Sequence, residues 1–501
     1  MKEFYMGIDI GTSSVRAVIF DKTGALCGMH QIEYTLISET PGMAELDPEL
    51  VLNSLLDCVR ISICDLSLSK TDIKGIGIST QMHSILAIDK EGNTLTNLLT
   101  WADNRPFDQA KALETKFDVN DLYRRTGCRT QHPMYPLAKL LWLRDTKPEI
   151  FNNADKFLSI KSYVLFKLYG TFIVDFTDAG ASGCFNVTNL AWDNFMINDV
   201  VGTTINKFAT AVPCDHIEKG MKSEIANALG LDSDVPMVIG SGDGIMANLG
   251  CGVFDDTKMS CTIGTSGALR ISVPEPLLDP NAKTWCYPFT TDTWVAGGAI
   301  NNGGIVLKWL REEFKSEYTA DMPNYGVTKL YQLFDAYAKE LPAGSEGLIM
   351  LPFLTGERSP GWRADAKAVI SGITLRHGRK HFAKAAMESV MYQMNSVFET
   401  ISAIDNNVKQ IIGNGGYASS DIWLQIQADV FNREIAVSNV GEASAFGAAY
   451  TAMIATGAAK DFKTGIDIMK PKRVVTPKQD NVAVYKETYQ EFRKLYGKIY
   501  G

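Results

Sequence analysis

Two short segments carry the same four residues in the same local setting. Ile10-Gly11-Thr12-Ser13 closes one apolar stretch and precedes another at Val15–Phe20; Ile263-Gly264-Thr265-Ser266 does the same before Ala268–Val273. A tight loop of Gly, Thr and Ser presents main-chain N–H groups and hydroxyls with no bulky side chain in the way, a concavity suited to phosphate oxygens. Singly, each is equally a plain hairpin turn; two of them, one from each half of the chain, could clamp a polyphosphate. Asp9, just ahead of the first loop, adds a carboxylate able to hold Mg²⁺ through water, or simply to stabilise the turn. Asp243, in Val238-IGSGDG-Gly244, ends an apolar strand after glycines that let a ligand approach. A helix N-cap is its other reading, and both can hold at once.

These groups must be positioned by strands. Tyr5–Ile10, Val15–Phe20 and a stretch near Gly28–Leu36 read as three strands joined by turns. Asp47 caps a helix with Pro48 in its first turn, and Ile73–Thr80 reads as a buried strand. The order recurs later: strands at Met259–Ile263, Ala268–Val273 and Thr293–Ile300, then a helix over roughly Asn302–Phe314. Further on come a long helix at His381–Ile404 and a strand entering a glycine turn at Gln410–Gly416. A helix at Asp421–Asn432 and a small-residue helix at Glu442–Gly457, suited to lie close on a sheet, complete the pattern. Two hairpin-first α/β units imply internal duplication. The expected domains are 1–248 and 249–501, packed closely across a cleft.

The totals bound the rest. The 501 residues exceed one ordinary core and suit two domains. With 49 Lys+Arg against 57 Asp+Glu the net charge is −8, which argues against nucleic acid or an anionic membrane as main partner. An anionic substrate would therefore need a local cationic pocket. No N-terminal stretch resembles a signal peptide, and no apolar run reaches the roughly 20 residues of a membrane span. Nine scattered cysteines without CxxC spacing imply reduced thiols and a cytoplasmic protein.

Together GIDIGTSSVR, GSGDG (Gly240–Gly244), IGTSG (Ile263–Gly267) and GNGG (Gly413–Gly416), in this order over nearly the whole chain, resemble the FGGY family of carbohydrate kinases. That resemblance implies two duplicated ribonuclease-H-like domains of the actin-like ATPase kind, ATP and Mg²⁺ as cofactors, and often a homodimer. By it, Gly11, Thr12 and Ser13, and Gly264, Thr265 and Ser266, are the two phosphate loops, and Asp243 is the general base. Gly413, Asn414, Gly415 and Gly416 resemble the adenosine loop, with Asn302 and Gly303 as further nucleotide contacts; Trp423 and Gln425 behind the loop read as packing and support. Gly244 departs from the Gln that many members carry after the base. No Walker motif is present.

The acceptor side is implied by three patches: Gln81-Met82-His83, then Trp101, Asp103 and Arg105 in LTWADNR, and Asp175 opening DFTDAGASG, with Gly180 where Ser is usual. Each also has an ordinary explanation: Trp101 as core, Asp103 with Arg105 as a surface pair, His83 as a loop histidine. MHSILAID, TWADNR and RRTGCRTQHPMYPLAKLLW look closest to the gluconate-kinase branch. This implies transfer of the γ-phosphate of ATP to the 6-hydroxyl of D-gluconate, giving 6-phosphogluconate. Arg105, His83, His132 and Lys161 are then the candidates for the acceptor's carboxylate. The alternatives are the same chemistry on xylulose, ribulose or another polyol, a non-catalytic sugar- or nucleotide-sensing relative, and an actin-like filament protein.

Overall fold

A computed structural model describes residues 3–319 and 330–501, which form two compact units. One is built from Met1–Phe254, Ser272–Ala296 and Val440–Lys470, the other from Asp255–Ile271, Gly297–Asn439 and Pro471–Gly501. The chain therefore contributes to each unit more than once.

In the first unit β1 (Phe4–Ile10), β2 (Ser14–Asp21) and β3 (Leu26–Glu33) form an antiparallel meander. A helix at Pro48–Asp65 follows, its first turn fixed by Asp47, whose carboxylate accepts from the Glu49 amide at 2.9 Å. Leu50, within the expected apolar stripe, faces outward. Next come β4 (Ile73–Thr80), β5 (Ile217–Glu218) and β6 (Met237–Gly242). The sheet runs β3–β2–β1–β4–β6–β5, with β4 parallel to both β1 and β6 and β5 antiparallel at the edge. β1 and β4 are buried on both faces, as strands covered by helices must be.

The helix Ala443–Ala455 covers one face of this sheet. Gly7 and Gly77, directly opposite each other in β1 and β4, make the floor on which it rests. A Cβ on Gly7 would lie 1.8 Å from the Ala445 carbonyl oxygen, and one on Gly77 1.9 Å from that of Ala448. The same helix meets a second at Asp243–Gly250, where a Cβ on Gly447 would lie 2.0 Å from the Met246 carbonyl oxygen. Small residues on both partners buy this approach. The end of the chain thus holds the strands of its beginning.

In the second unit β7 (Lys258–Ile263) and β8 (Gly267–Val273) form the hairpin, with β9 (Trp294–Ile300) beside β8. β10 (Gln410–Asn414), β11 (Glu434–Val437) and β12 (Arg473–Val475) follow. Their order is β9–β8–β7–β10–β11–β12. Here too the first strand is antiparallel to the second and parallel to the fourth, the fourth is parallel to its outer neighbour, and the strand beyond that is antiparallel, although in the first unit these last two come in the reverse chain order. The duplication is thus one of topology and not of four shared letters. The units differ after the fourth strand: 415–433 suffices to reach β11, whereas residues 81–236 intervene between β4 and β6.

Helices at Leu330–Glu340, Arg379–Ser402 and Asp421–Phe431 pack in the second unit. The helix expected from Asn302 spans Ile305–Glu313. Gly303 and Gly304 instead donate their amides to the carbonyls of Thr265 and Gly264, at 3.1 and 2.7 Å. All nine cysteines are free thiols, and no described helix is long and apolar enough to cross a membrane.

Candidate active site

The first unit gathers carboxylates at the ends of its central strands. Asp9 sits in β1 opposite Ser79 of β4 on one side and Arg16 of β2 on the other. Ser79 donates its hydroxyl to Asp9 at 2.9 Å and Arg16 approaches at 3.4 Å. Burial, then the negative charge of Asp243, nevertheless push the Asp9 carboxyl up to about 6. Asp243 is the first residue of the helix that follows β6, and Gly242 before it holds the cap position. Its carboxylate accepts from the Gly244 amide at 2.6 Å, and its main-chain oxygen accepts from Ser444 at 3.1 Å. The Met82 side chain lies on Gly242, where a Cβ would come within 2.4 Å of it. Any larger residue before Asp243 would expel Met82.

Asp178 belongs to the same field, and the sequence reading did not single it out. It is buried, its Oδ2 has no hydrogen-bond partner, and burial followed by the charge of Asp175 pushes it up to about 7. Asp243 adds to that shift. Carboxylates driven upward together mark a place where negative charge is concentrated at a cost in stability, a recurrent property of functional sites.

The first Gly-Thr-Ser loop is tied to the acceptor residues. The Trp101 indole N–H donates to the Thr12 hydroxyl at 2.9 Å, and Thr12 donates to the Gln81 amide oxygen at 3.1 Å. Gln81 and Tyr34 both donate to the Gly11 carbonyl, at 3.1 and 2.7 Å. Trp101 is 42% exposed and thus not a core residue. His83, with φ +63°, sets its ring against those of Tyr135 and Tyr287, and its Nε2 lies 3.1 Å from the Tyr287 hydroxyl.

Three expected acceptor residues do not stand open to a ligand. Asp103 is fully buried, holding Arg105 and accepting from the Ala44 amide at 3.1 Å. Arg105 is also paired with Glu45 and lies over the Trp142 ring. Asp175 is fully buried in an ion pair with Lys161 at 2.5 Å and caps the short helix after it through the Thr177 and Asp178 amides. These residues brace the site. His132 accepts the Met134 amide at 3.1 Å and so shapes its own turn.

In the second unit the glycine loops converge on a cavity of about 540 Å³, lined among others by Gly264, Thr265, Gly304, Gly416, Tyr417 and Trp423. Gly415 has φ +95°, and a Cβ there would lie 2.6 Å from the Ile263 carbonyl oxygen; only glycine lets the two turns come together. Gly264, Thr265 and Ser266 are exposed at the turn. Gly413 is buried beneath Tyr417, and Asn414 accepts from the Gly415 amide at 2.7 Å. Asn302 is buried, with its amide fully engaged by Thr355 and Gly356, so it braces the loop without reaching the cavity. Trp423 packs and lines the cavity at once, while Gln425 bonds Asp429 and the Thr476 carbonyl. Tyr331, Gln332 and Asp335 of the Leu330–Glu340 helix complete the wall. Their apolar-periodic surroundings gave the sequence reading no cue.

A nucleotide is well matched to the second unit. Trp423 and Tyr417 line the cavity on one side, as suits a purine ring, and Gly264 and Thr265 of the exposed turn line it on another, as suits phosphates. A divalent cation fits less fully. Among the described residues no group of three or more His, Cys, Asp or Glu gathers to hold a metal. Asp9, raised by burial and by the charge of Asp243, fits an ion that keeps water or phosphate oxygens as its other ligands.

Duplicated sheets, one beside a cavity lined by glycine turns and the other with carboxylates gathered at its strand ends, suit a two-domain phosphotransferase. The chain belongs to the FGGY family of carbohydrate kinases: residues 4–250 match its N-terminal domain and 259–456 its C-terminal domain. Kinases of this family use ATP. The sequence is 34% identical to a gluconokinase of Bacillus subtilis (strain 168) over 99% of this chain and 96% of that one. It is 27% identical to a xylulose kinase of the same organism, over 99% and 97%. Among solved structures it is similar to a gluconate kinase from Lactobacillus acidophilus, with a TM-score of 0.94, 29% identity and coverage of 100% and 98%. A ligand-bound xylulose kinase from Lactobacillus acidophilus gives 0.93 and 29%, over 99% and 98%.

Proposed function

We propose that this chain transfers the γ-phosphoryl group of ATP to the terminal 6-hydroxyl of D-gluconate, giving 6-phosphogluconate. The observation that carries the reading is Asp243 at the end of β6, its preceding glycine packed against Met82 of the Gln81–His83 segment. Asp243 accepts the proton of the acceptor hydroxyl, the oxygen attacks the γ-phosphorus in line, and ADP leaves. Phosphoryl transfer passes through a loose transition state, so positioning and charge neutralisation supply most of the rate. Mg²⁺, where bound near Asp9, supplies neutralisation of phosphate charge. The exposed turn Gly264–Ser266, beside the cavity of the second unit, orients the phosphates. Gln81, Trp101 and His83 orient the polyol. We place the reaction in the cytoplasm on the free thiols, and expect a homodimer.

Gluconate over a neutral sugar rests on the likeness to gluconate kinases and needs a cation for the carboxylate. Arg105 and Lys161 are already paired with carboxylates, which removes two of the four candidates. Arg129 takes their place: it is half-buried, donates to the Ala282 carbonyl at 3.4 Å, and pairs with no carboxylate among the described residues. Tyr135, six residues further on, sets its ring against that of His83. The internal pairing of Arg105 and Lys161 also favours the second reading, the same chemistry on xylulose or ribulose. ADP release measured separately with gluconate, xylulose, ribulose and glycerol separates them: strong preference for a pentulose defeats the gluconate reading, and release with none defeats both.

A further inference from the structure

We infer that Lys139 is a positioning residue for acceptor binding: its buried ammonium ties the carbonyls of His83 and Met134 together and so holds the His83 imidazole in place. The inference rests on the reading that the Gln81–His83 segment meets the acceptor. Lys139 lies in the helix Pro136–Thr146 and is wholly buried. Its Nζ donates to the His83 carbonyl at 3.0 Å and to the Met134 carbonyl. No carboxylate stands within ion-pair distance of it among the described residues, although Asp103 lies close enough to favour its charge.

A lysine in this setting is expensive, because burial without a countercharge disfavours the ammonium. A methionine would fill the same volume at no such cost. What methionine lacks is the pair of donors, and the pair joins two segments that sequence separates: one ends at His83, the other leads into Tyr135. The His83 backbone has φ +63°, a left-handed conformation unfavourable for a non-glycine residue that persists only where its surroundings impose it. The carbonyl that Lys139 grips belongs to that same residue. The imidazole is held from the other side, with the Tyr287 hydroxyl 3.1 Å from Nε2, the Tyr135 hydroxyl 3.4 Å from that of Tyr287, and Tyr287 stacked on Trp285 at 4.6 Å. The main chain is thus fixed by Lys139 and the ring by the tyrosine pair.

The test compares Lys139→Met, Lys139→Arg and Tyr287→Phe in the full chain, with gluconate, xylulose and ATP each varied. Lys139→Met is expected to raise the KM of the accepted sugar at least 10-fold, with ATP KM and kcat changed less than 3-fold, and Lys139→Arg to recover part of the loss. Tyr287→Phe keeps the ring and its packing, and is expected to raise the same KM about 3-fold; it decides the matter if Lys139→Met does not fold. An unchanged acceptor KM, or an ATP KM rising in parallel, overturns the inference, since a lysine that merely stabilises the fold would loosen both sites. The His83 ring signals in the NMR spectrum of isotope-labelled protein give a readout independent of turnover. They are expected to shift or broaden in Lys139→Met, and unchanged signals overturn the inference even if the wild type phosphorylates none of the sugars, a result that would instead defeat the kinase reading.

Discussion

The indole N–H of Trp101 donates to the hydroxyl of Thr12 at 2.9 Å, which joins an exposed ring to the first Gly-Thr-Ser loop. Thr12 passes the connection on to Gln81. Thr12→Val keeps the shape and removes both bonds. It is expected to raise acceptor KM about 5- to 10-fold and to lower kcat, because the loop and the acceptor surface then move independently. Steady-state kinetics with both substrates varied checks this, and Thr12→Ser should be close to wild type.

Asp9 carries a stability cost that depends on pH. Its carboxyl titrates near 6 in the fold against 3.8 ordinarily, so the folded state holds the proton more tightly than the unfolded chain between those values. Stability from this group therefore falls as pH rises through that window, and above about 6 the penalty is complete, worth about 3 kcal/mol at most. Asp9→Asn is expected to raise the unfolding free energy by about 1–3 kcal/mol at pH 7.5, to gain little at pH 4, and to lose turnover. Denaturant titrations at the two pH values, with an activity assay, decide it.

Arg129→Gln separates a charged from a neutral acceptor. If the guanidinium meets the carboxylate of gluconate, its loss should raise gluconate KM about 10-fold or more and leave xylulose turnover within 2- to 3-fold. Equal effects on both sugars would return Arg129 to a structural part.

Gly416 lines the cavity of the second unit, and a Cβ there meets nothing within 4 Å. Gly416→Leu should therefore fold with a melting temperature near that of the wild type, while ATP KM rises about 10-fold and acceptor KM stays unchanged. Gly77→Ala is the contrasting case. Its Cβ would meet the Ala448 carbonyl oxygen at 1.9 Å, and overpacking of that kind costs about 1–3 kcal/mol or more. Thermal melts and nucleotide kinetics on the two variants should thus give opposite patterns.

Local features were legible in the sequence and distant ones were not. Ile73–Thr80 matches its strand residue for residue, and the hairpins agree within a residue or two, because apolar runs broken by Gly, Thr and Ser are self-contained signals. The small-residue helix was also visible. Its resting place on Gly7 and Gly77 was not, since the contacts Gly7–Ala445 and Gly77–Ala448 join residues far apart in the chain. Asp103 and Arg105 show the same limit: two residues apart they suit a ligand as well as each other, and the decisive partner, Glu45, lies far back in the chain. Lys139 was in plain view within MYPLAKLLW, but nothing local marks a lysine as buried.

The central claim is that Asp243 takes the proton of the acceptor hydroxyl. Asp243→Asn preserves size and the bond from the Gly244 amide while removing the base. In an ADP-release assay with saturating ATP and the preferred sugar, kcat is expected to fall about 10²-fold or more, with ATP KM within about 3-fold of wild type. Turnover close to wild type in this variant would contradict the account.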